Sequence, residues 1–318
     1  MQTSRDIARL AGVSQATVSR VLANNPKVRE ETRQKVLAVL DSTAYVPNAQ
    51  ARAMRSRRSG TIGVVTGKIL NPFYPELIGA LGSVLTGHDR RMVLWASDTD
   101  AGELAAIDAM RAGLVDGVVF TSAASDSDAL HSALASALPV VLVVRSIEGA
   151  RCDQVTSDNA AGGRLGARHF LAAGRPEVAV IGGTESVSTS RERRAGFLTA
   201  MADDGVVVTS ERIVDCDFTH EAARTAATAL LSTRARPQAV FCVNDITALG
   251  VLDAAAALGL AVPQDLWVIG YDDIAMASWN LIGLTTLTQP VHRMAEVGVE
   301  MLLRRLDGEG WRFGRPRF

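Results

Sequence analysis

From Thr61 onward, seven short apolar runs alternate with stretches long enough to form a helix, and that alternation confines the body of the chain to a parallel α/β design. The runs are TIGVVT, RMVLWA, DGVVF, PVVLVV, VAVIG, AVFCV and WVIGY. None alternates cleanly between apolar and polar residues, as a strand with one wet face does. Unbroken Val, Ile and Leu suit strands buried on both faces. The runs fall into two series, about 61 to 157 and about 158 to 288, which predicts two similar lobes, the first completed by residues 289–318. Open parallel sheets bind ligands beyond the carboxyl ends of their strands, so a cleft between the lobes is expected.

The first sixty residues obey different rules. SRDIARLAGVSQATVSRVLA, residues 4–23, reads as a helix-turn-helix: Ile7, Leu10 and Ala11 at helical spacing, Gly12 for the turn, Val13 plugging it, and Ser14 capping a second helix from Gln15 to Ala23. Val18, Val21 and Leu22 form the seam of that helix, which leaves Ala16, Arg20 and Ala23 on its outer side, where a major groove would lie. A third helix is predicted from Glu30 to Thr43, with Val36, Leu37, Val39 and Leu40 inward. Residues 1–46 are thus an all-α unit. Two short helices could pack as a plain bundle, but a small, polar and basic outer face is unusual for one. Charge favours the nucleic-acid reading. Residues 1–60 hold eleven Lys and Arg against four Asp and Glu, a net +7, while the rest holds 22 against 30, a net −8. A near-neutral total hides a cationic head on an acidic body.

Between the two, VPNAQARAMRSRRSG carries Pro47 and Asn48 at a helix start, four arginines, and Ser59-Gly60 as a stop, so 47–60 is expected to be a short charged hinge helix and linker. No segment approaches the roughly 20 apolar residues of a membrane span. Arg5, Asp6 and Arg9 occupy the place of a signal peptide's apolar core, and Cys152, Cys216 and Cys242 lack metal-ligand spacing, which together predict a cytoplasmic protein with unpaired thiols. The five histidines are scattered, and DTDAG at 98–102 fails as a calcium loop because Gly102 and Ala109 stand at ligand positions. No metal or cofactor is called for. The rival readings are a DNA-binding head fused to a carbohydrate-processing enzyme, for which no phosphate loop or nucleophile elbow is present, and a plain sugar-binding protein, which would lack the basic head.

Taken in order, DIARLAGVSQATVSRVL, VPNAQARAMR, TIGVV…NPFY, SDNAAGG, RERRAGF, VNDITALG and VIGYDD resemble the lactose-repressor (LacI/GalR) family of bacterial transcription regulators over nearly the whole chain. The resemblance implies an all-α helix-turn-helix headpiece plus an α/β periplasmic-binding-protein-like core (61–318) of two parallel-sheet lobes that closes on a small effector, expected to be a sugar or sugar derivative. It implies a homodimer or tetramer acting as a repressor on double-stranded operator DNA, with no membrane partner and no enzymatic activity. By position, Gln15, Ala16 and Arg20 would read bases, Arg20 bidentately to guanine, while Thr3, Thr17 and Ser19 would lie beside the phosphates. Asn48, Ala51, Met54 and Arg55 match the hinge helix, Met54 standing where a Leu wedge is usual. Arg29 replaces the usual cap of the third helix.

For the effector, the resemblance implies Arg193, Phe218, Asn244 and Asp272 from one lobe and Asn71, Phe73, Tyr74, Asp98 and Arg145 from the other. Such a set suits a polyhydroxylated molecule: Asp accepts from paired hydroxyls, Arg and Asn bridge oxygens, and an aromatic face covers C–H groups. Each residue also has a plainer possible use. Asp272-Asp273 could cap a helix, Arg191, Arg193 and Arg194 could be a solvated face, and Phe73 and Tyr74 could be core aromatics. One departure stands out: many relatives read V-D-R where this chain has Val143, Val144 and Arg145, so an acceptor is missing and an atypical effector is expected. At the other end, GEGWRFGRPRF replaces the strand by which relatives return to the second lobe, predicting that this strand is absent or rearranged.

Overall fold

The computed structural model of the protein describes residues 3–22, 25–43, 58–96, 99–122, 127–135, 138–308 and 313–318. They form two compact units, residues 1–59 and 60–318. In the first, α1 (Ser4–Leu10), α2 (Gln15–Leu22) and α3 (Glu30–Asp41) enclose Ile7, Val18, Val21 and Val36. Thr3 starts α1 through a reciprocal cap: its hydroxyl accepts from the Asp6 N–H, and the Asp6 carboxylate accepts from the Thr3 N–H at 2.9 Å. Gly12, at φ +66, makes the turn, and the Ser14 hydroxyl accepts from the Thr17 N–H at 3.1 Å. Arg29 gives α3 no side-chain cap, and Glu30 and Glu31 complement the exposed N–H groups of its first turn instead. Leu37, expected inward, is exposed, while Val36, Val39 and Leu40 face the shared seam.

The second unit holds two five-stranded sheets whose ladders are all parallel. The first runs β2-β1-β3-β4-β5, with β1 (Thr61–Thr66), β2 (Arg91–Ala96), β3 (Gly117–Phe120), β4 (Val140–Val143) and β5 (Asp153–Val155). The second runs β10-β9-β8-β6-β7, with β6 (Val178–Gly182), β7 (Ile213–Asp215), β8 (Ala239–Cys242), β9 (Trp267–Asp272) and β10 (Thr285–Thr288). Central strands β1, β3, β4, β6 and β8 are buried along their length. RMVLWA departs from the expectation of burial on both faces: as the edge strand β2 it leaves Val93 and Leu94 exposed, since an apolar run does not reveal its rank in the sheet.

Helices cover both faces of each sheet. α7 (Asn159–Ala172) and α8 (Ser188–Asp203) pack side by side over the second sheet, where Phe197 stacks on Phe241 at 4.6 Å between ring centres. Burying such a ring stabilises by roughly 1.5–3 kcal/mol. The two helices meet at glycines. A methyl group on Gly163 would sit 2.7 Å from the Phe197 nitrogen and closer still to the Arg193 carbonyl oxygen, and one on Gly196 would press equally on the Ala160 backbone.

The chain passes from the first sheet to α7 at residues 156–158 and returns at 289–290 into α11 (Val291–Leu306), which lies on the first sheet. Its last described segment, 313–318, is also there. It runs parallel to β5, with Gln154 N–H donating to Gly314 O at 3.1 Å and Phe318 N–H to Thr156 O at 3.1 Å, and Asp153 holds both Arg305 (2.7 Å) and the Gly314 N–H (2.7 Å). The expected loss or rearrangement of a closing strand therefore resolves into a segment pinned to the first sheet by a buried carboxylate. Among the described residues no helix is long and apolar enough to cross a membrane.

Candidate functional site

On the helix-turn-helix, Ala16 and Arg20 are exposed on the outer face of α2, as is Gln15, whose amide is committed to the Ser4 hydroxyl at 2.8 Å. Thr17 is half-buried, its hydroxyl 2.9 Å from that of Ser14, and Ser19 is half-buried beside it. Thr3 is spent on the α1 cap. Arg20 is thus the outward cation of this helix. Asn48, Ala51, Met54, Arg55 and Asp98 lie outside the described residues.

In the α/β unit, the residues singled out from sequence converge on one cleft at the carboxyl ends of both sheets. Its walls are Asn71, Phe73, Tyr74 and Arg145 from the first lobe and Arg193, Phe218, Asn244 and Asp272 from the second, joined by Lys68, Val144, Thr189 and Gln289. The 400 Å³ they bound includes open solvent at the mouth, and the interior itself is small, about 30 Å³, so the two walls stand close together. A roomier void, about 720 Å³ with its mouth included, lies between Arg191, Glu192 and the terminal residues Arg315–Arg317 and holds none of the expected residues. Depth of burial favours the cleft, since most of its lining side chains are buried whereas Glu148, Arg315 and Arg317 of the larger void are exposed.

Arg193 is the best-anchored group. Its Nε donates to Asn159 Oδ1 at 2.9 Å, and its Nη1 donates to Val243 O at 2.6 Å and to Asp272 Oδ1 at 3.2 Å, while its plane lies 3.6 Å over the Tyr271 ring. Asp272 also accepts from Gln289 Nε2 at 2.6 Å. Burial pushes its carboxyl up to about 7, the Arg193 charge pulling the other way and the Asp245 charge adding to the rise. Asp272 ends β9 and Asp273 follows it, both at positive φ, and neither caps a helix. Asn244 does cap one: its Oδ1 accepts from Thr247 N–H at the start of α10 (Asp245–Ala257), which directs its NH₂ elsewhere. The solvated-face alternative for the arginines fails for Arg193 and Arg194, which are buried, Arg194 against Asp215 and Glu185.

Across the cleft, Val144 breaks from β4 at φ +77, a costly conformation for a β-branched residue, and delivers Arg145 inward. Arg145 donates to Tyr74 Oη and Thr189 Oγ1, each at 3.0 Å. The Arg145–Thr189 bond joins the lobes, as do Ser146 N–H to Ser188 Oγ at 3.0 Å, Ser146 Oγ to Glu192 at 3.2 Å, and Lys68 to Asp217 at 3.1 Å. Lys68, Thr189 and Gln289 were not singled out from sequence. Lys68 and Gln289 follow β1 and β10 by one or two residues, a position that the strand-end rule could have flagged. Among the described residues no three His, Cys, Asp or Glu side chains are grouped to hold a metal.

Residues 3–48 match the family model of bacterial regulatory proteins of the lacI family, and residues 59–306 match that of periplasmic binding proteins and the sugar-binding domain of the LacI family. The chain belongs to the LacI family. A curated relative, the HTH-type transcriptional repressor PurR of Photobacterium profundum, is 34% identical over 310 residues, covering 96% of this chain and 92% of its own. Among solved structures, the Lac repressor dimer bound to operator and the anti-inducer ONPF aligns with 100% of this chain and 96% of its own at TM-score 0.88 and 26% identity. The complex of the regulator CelR with cellobiose aligns with 100% and 97% at TM-score 0.77 and 27% identity. This LacI-family chain is accordingly a DNA-binding transcriptional repressor with the family's two-lobed body.

Proposed function

We propose that this repressor acts as a homodimer whose operator affinity is set by a polyhydroxylated small molecule, a sugar or sugar derivative, bound between its lobes. One observation carries the reading: a cleft at the carboxyl ends of both sheets, lined by an Arg193–Asp272 pair from one lobe and by Arg145 and Tyr74 from the other. Arginine and carboxylate side by side can donate to and accept from hydroxyls, and Phe218 offers a face for C–H groups. That the aligned CelR structure is a cellobiose complex supports the class. That the aligned Lac repressor structure is a dimer supports a second copy.

Because ligand contacts come from both lobes, occupancy favours one interlobe angle over another, and operator affinity follows by the difference in ligand affinity between the two states. The test is operator binding by the full chain, followed by fluorescence anisotropy across a panel of sugars and their derivatives. A change of about tenfold or more in Kd with one of them (~1.4 kcal/mol) is the expected result, and its direction identifies inducer or corepressor. Operator binding indifferent to every member would overturn the carbohydrate reading.

A further inference from the structure

Among the described residues three arginines of the α/β unit are buried, and one of them is electrically alone. Arg193 faces Asp272, and Arg194 faces Asp215 and Glu185. Arg145, 8% exposed, has only neutral partners: the hydroxyls of Tyr74 and Thr189 accept from its two terminal nitrogens, and its Nε, fully buried, donates to nothing. No carboxylate lies within ion-pairing distance of it among the described residues. A guanidinium held out of water without a counter-charge is strongly destabilising, and a fold retains one where something else supplies the charge.

The surroundings say where that charge would come from. Arg145 lines the cleft, and the two residues before it are Val143 and Val144, which offer no acceptor. Of the other charged groups in the lining, Lys68 is already paired with Asp217 and Asp272 with Arg193. Tyr74 and Thr189 each accept from Arg145, so their own hydroxyl protons are left to donate. Nε–H and two hydroxyl protons around one buried cation form a set of donors with no acceptor.

We propose that the molecule bound between the lobes is an acidic sugar derivative, its carboxylate or phosphate oxygens received by Arg145, Tyr74 and Thr189, with Arg145 determining specificity. This rests on the cleft being the effector site. Guanidinium suits either oxyanion, taking two oxygens side by side through Nε and one Nη.

The test compares neutral sugars with their own acids on the full-length protein by calorimetry: glucose with gluconate, glucuronate and glucose 6-phosphate, and galactose with galactonate, galacturonate and galactose 1-phosphate. The expected result is an acid that binds at least about tenfold more tightly than its neutral parent (~1.4 kcal/mol), the carboxylate and phosphate arms identifying the oxyanion. Arg145→Gln should weaken the acid at least about tenfold more than its neutral parent and so erase the preference, Arg145→Lys should restore part of it, and ligand-free Arg145→Gln should melt no lower than wild type because a buried charge has gone. A neutral parent that binds as tightly as its acids, or a glutamine variant that weakens both equally, would overturn the inference and leave the cleft reading standing. Failure of every member to bind at about 10 mM, well above the ~1 μM to 1 mM of ordinary small-molecule affinities, would overturn both.

Discussion

Replacing Gly163 by Ala tests whether the cleft is held in place by the contact between α7 and α8. The added methyl would lie 2.7 Å from the Phe197 nitrogen and nearer to the Arg193 carbonyl oxygen, and both are backbone atoms that cannot rotate aside. Ordinary contact needs ~3.5 Å or more, so the helices must part. Overpacking of this kind costs about 1–3 kcal/mol, and immovable neighbours place it at the upper end. Against that stands the better helix propensity of Ala, about 1 kcal/mol. The steric cost wins, leaving about 2 kcal/mol of destabilisation and a drop in Tm of roughly 4–8 °C for a body of this size.

Gly79, in the helix Phe73–Gly87, supplies the opposite sign. A methyl group there meets nothing within 4 Å. Gly79→Ala should therefore stabilise by about 0.5–1 kcal/mol. Thermal denaturation of the two variants, followed by circular dichroism, separates sterics from propensity. The same displacement of α8 carries Arg193 away from Asp272, so Gly163→Ala should lose ligand affinity while still binding operator below its Tm. A Gly163→Ala protein that melts at or above wild type would refute the close-packing account.

Three further outcomes are expected. Arg20→Ala should weaken operator binding by about 1–3 kcal/mol and relax preference at one base per half-site; an equal loss on every base-substituted operator would make Arg20 a phosphate contact instead. Arg193→Ala should bind operator normally yet ignore the small molecule, and a retained response would remove Arg193 from the site. For Asp272, a folded value of about 7 against the ordinary 3.8 means that the folded state binds the extra proton between those values, so its contribution to stability is full below pH ~4 and is lost as pH rises to about 7. The loss is at most about 4 kcal/mol at ~1.36 kcal/mol per unit, and denaturant titrations at pH 5 and pH 8 should show a smaller difference in Asp272→Asn than in wild type.

Much of the architecture was legible because burial on both faces leaves an apolar signature that survives without context. Short strands were not: β5, β7 and β10 have three or four residues each and include Asp153, Gln154, Thr285 and Thr286, so neither length nor hydropathy marks them. Edge rank was equally hidden in RMVLWA. In the cleft, residues beside recognisable motifs were found, whereas Thr189 belongs to it only because the second lobe folds over Arg145, a contact 44 residues away in sequence. Polar residues of α1 and α2 were legible as exposed or not, but the diversion of Gln15 to Ser4 and of Thr3 to Asp6 depends on rotamers that no periodicity encodes.

Beside the cleft the lobes are stitched by polar bonds, Arg145 to Thr189, Ser146 to Ser188 and Glu192, and Lys68 to Asp217, with Arg145 also lying 5.9 Å from the Phe218 ring centre. Water can replace each partner as the lobes separate, so every such bond resists opening by only about 0.5–1.5 kcal/mol, and the exposed ion pair by ~1 kcal/mol or less. Strand crossings at 156–158 and 289–290 keep the halves tethered throughout. Bonds this weak predict opening on the microsecond-to-millisecond scale of hinge motions, which relaxation-dispersion NMR would detect. A visiting molecule would find the door already swinging, and dwell time rather than entry would separate strong effectors from weak ones.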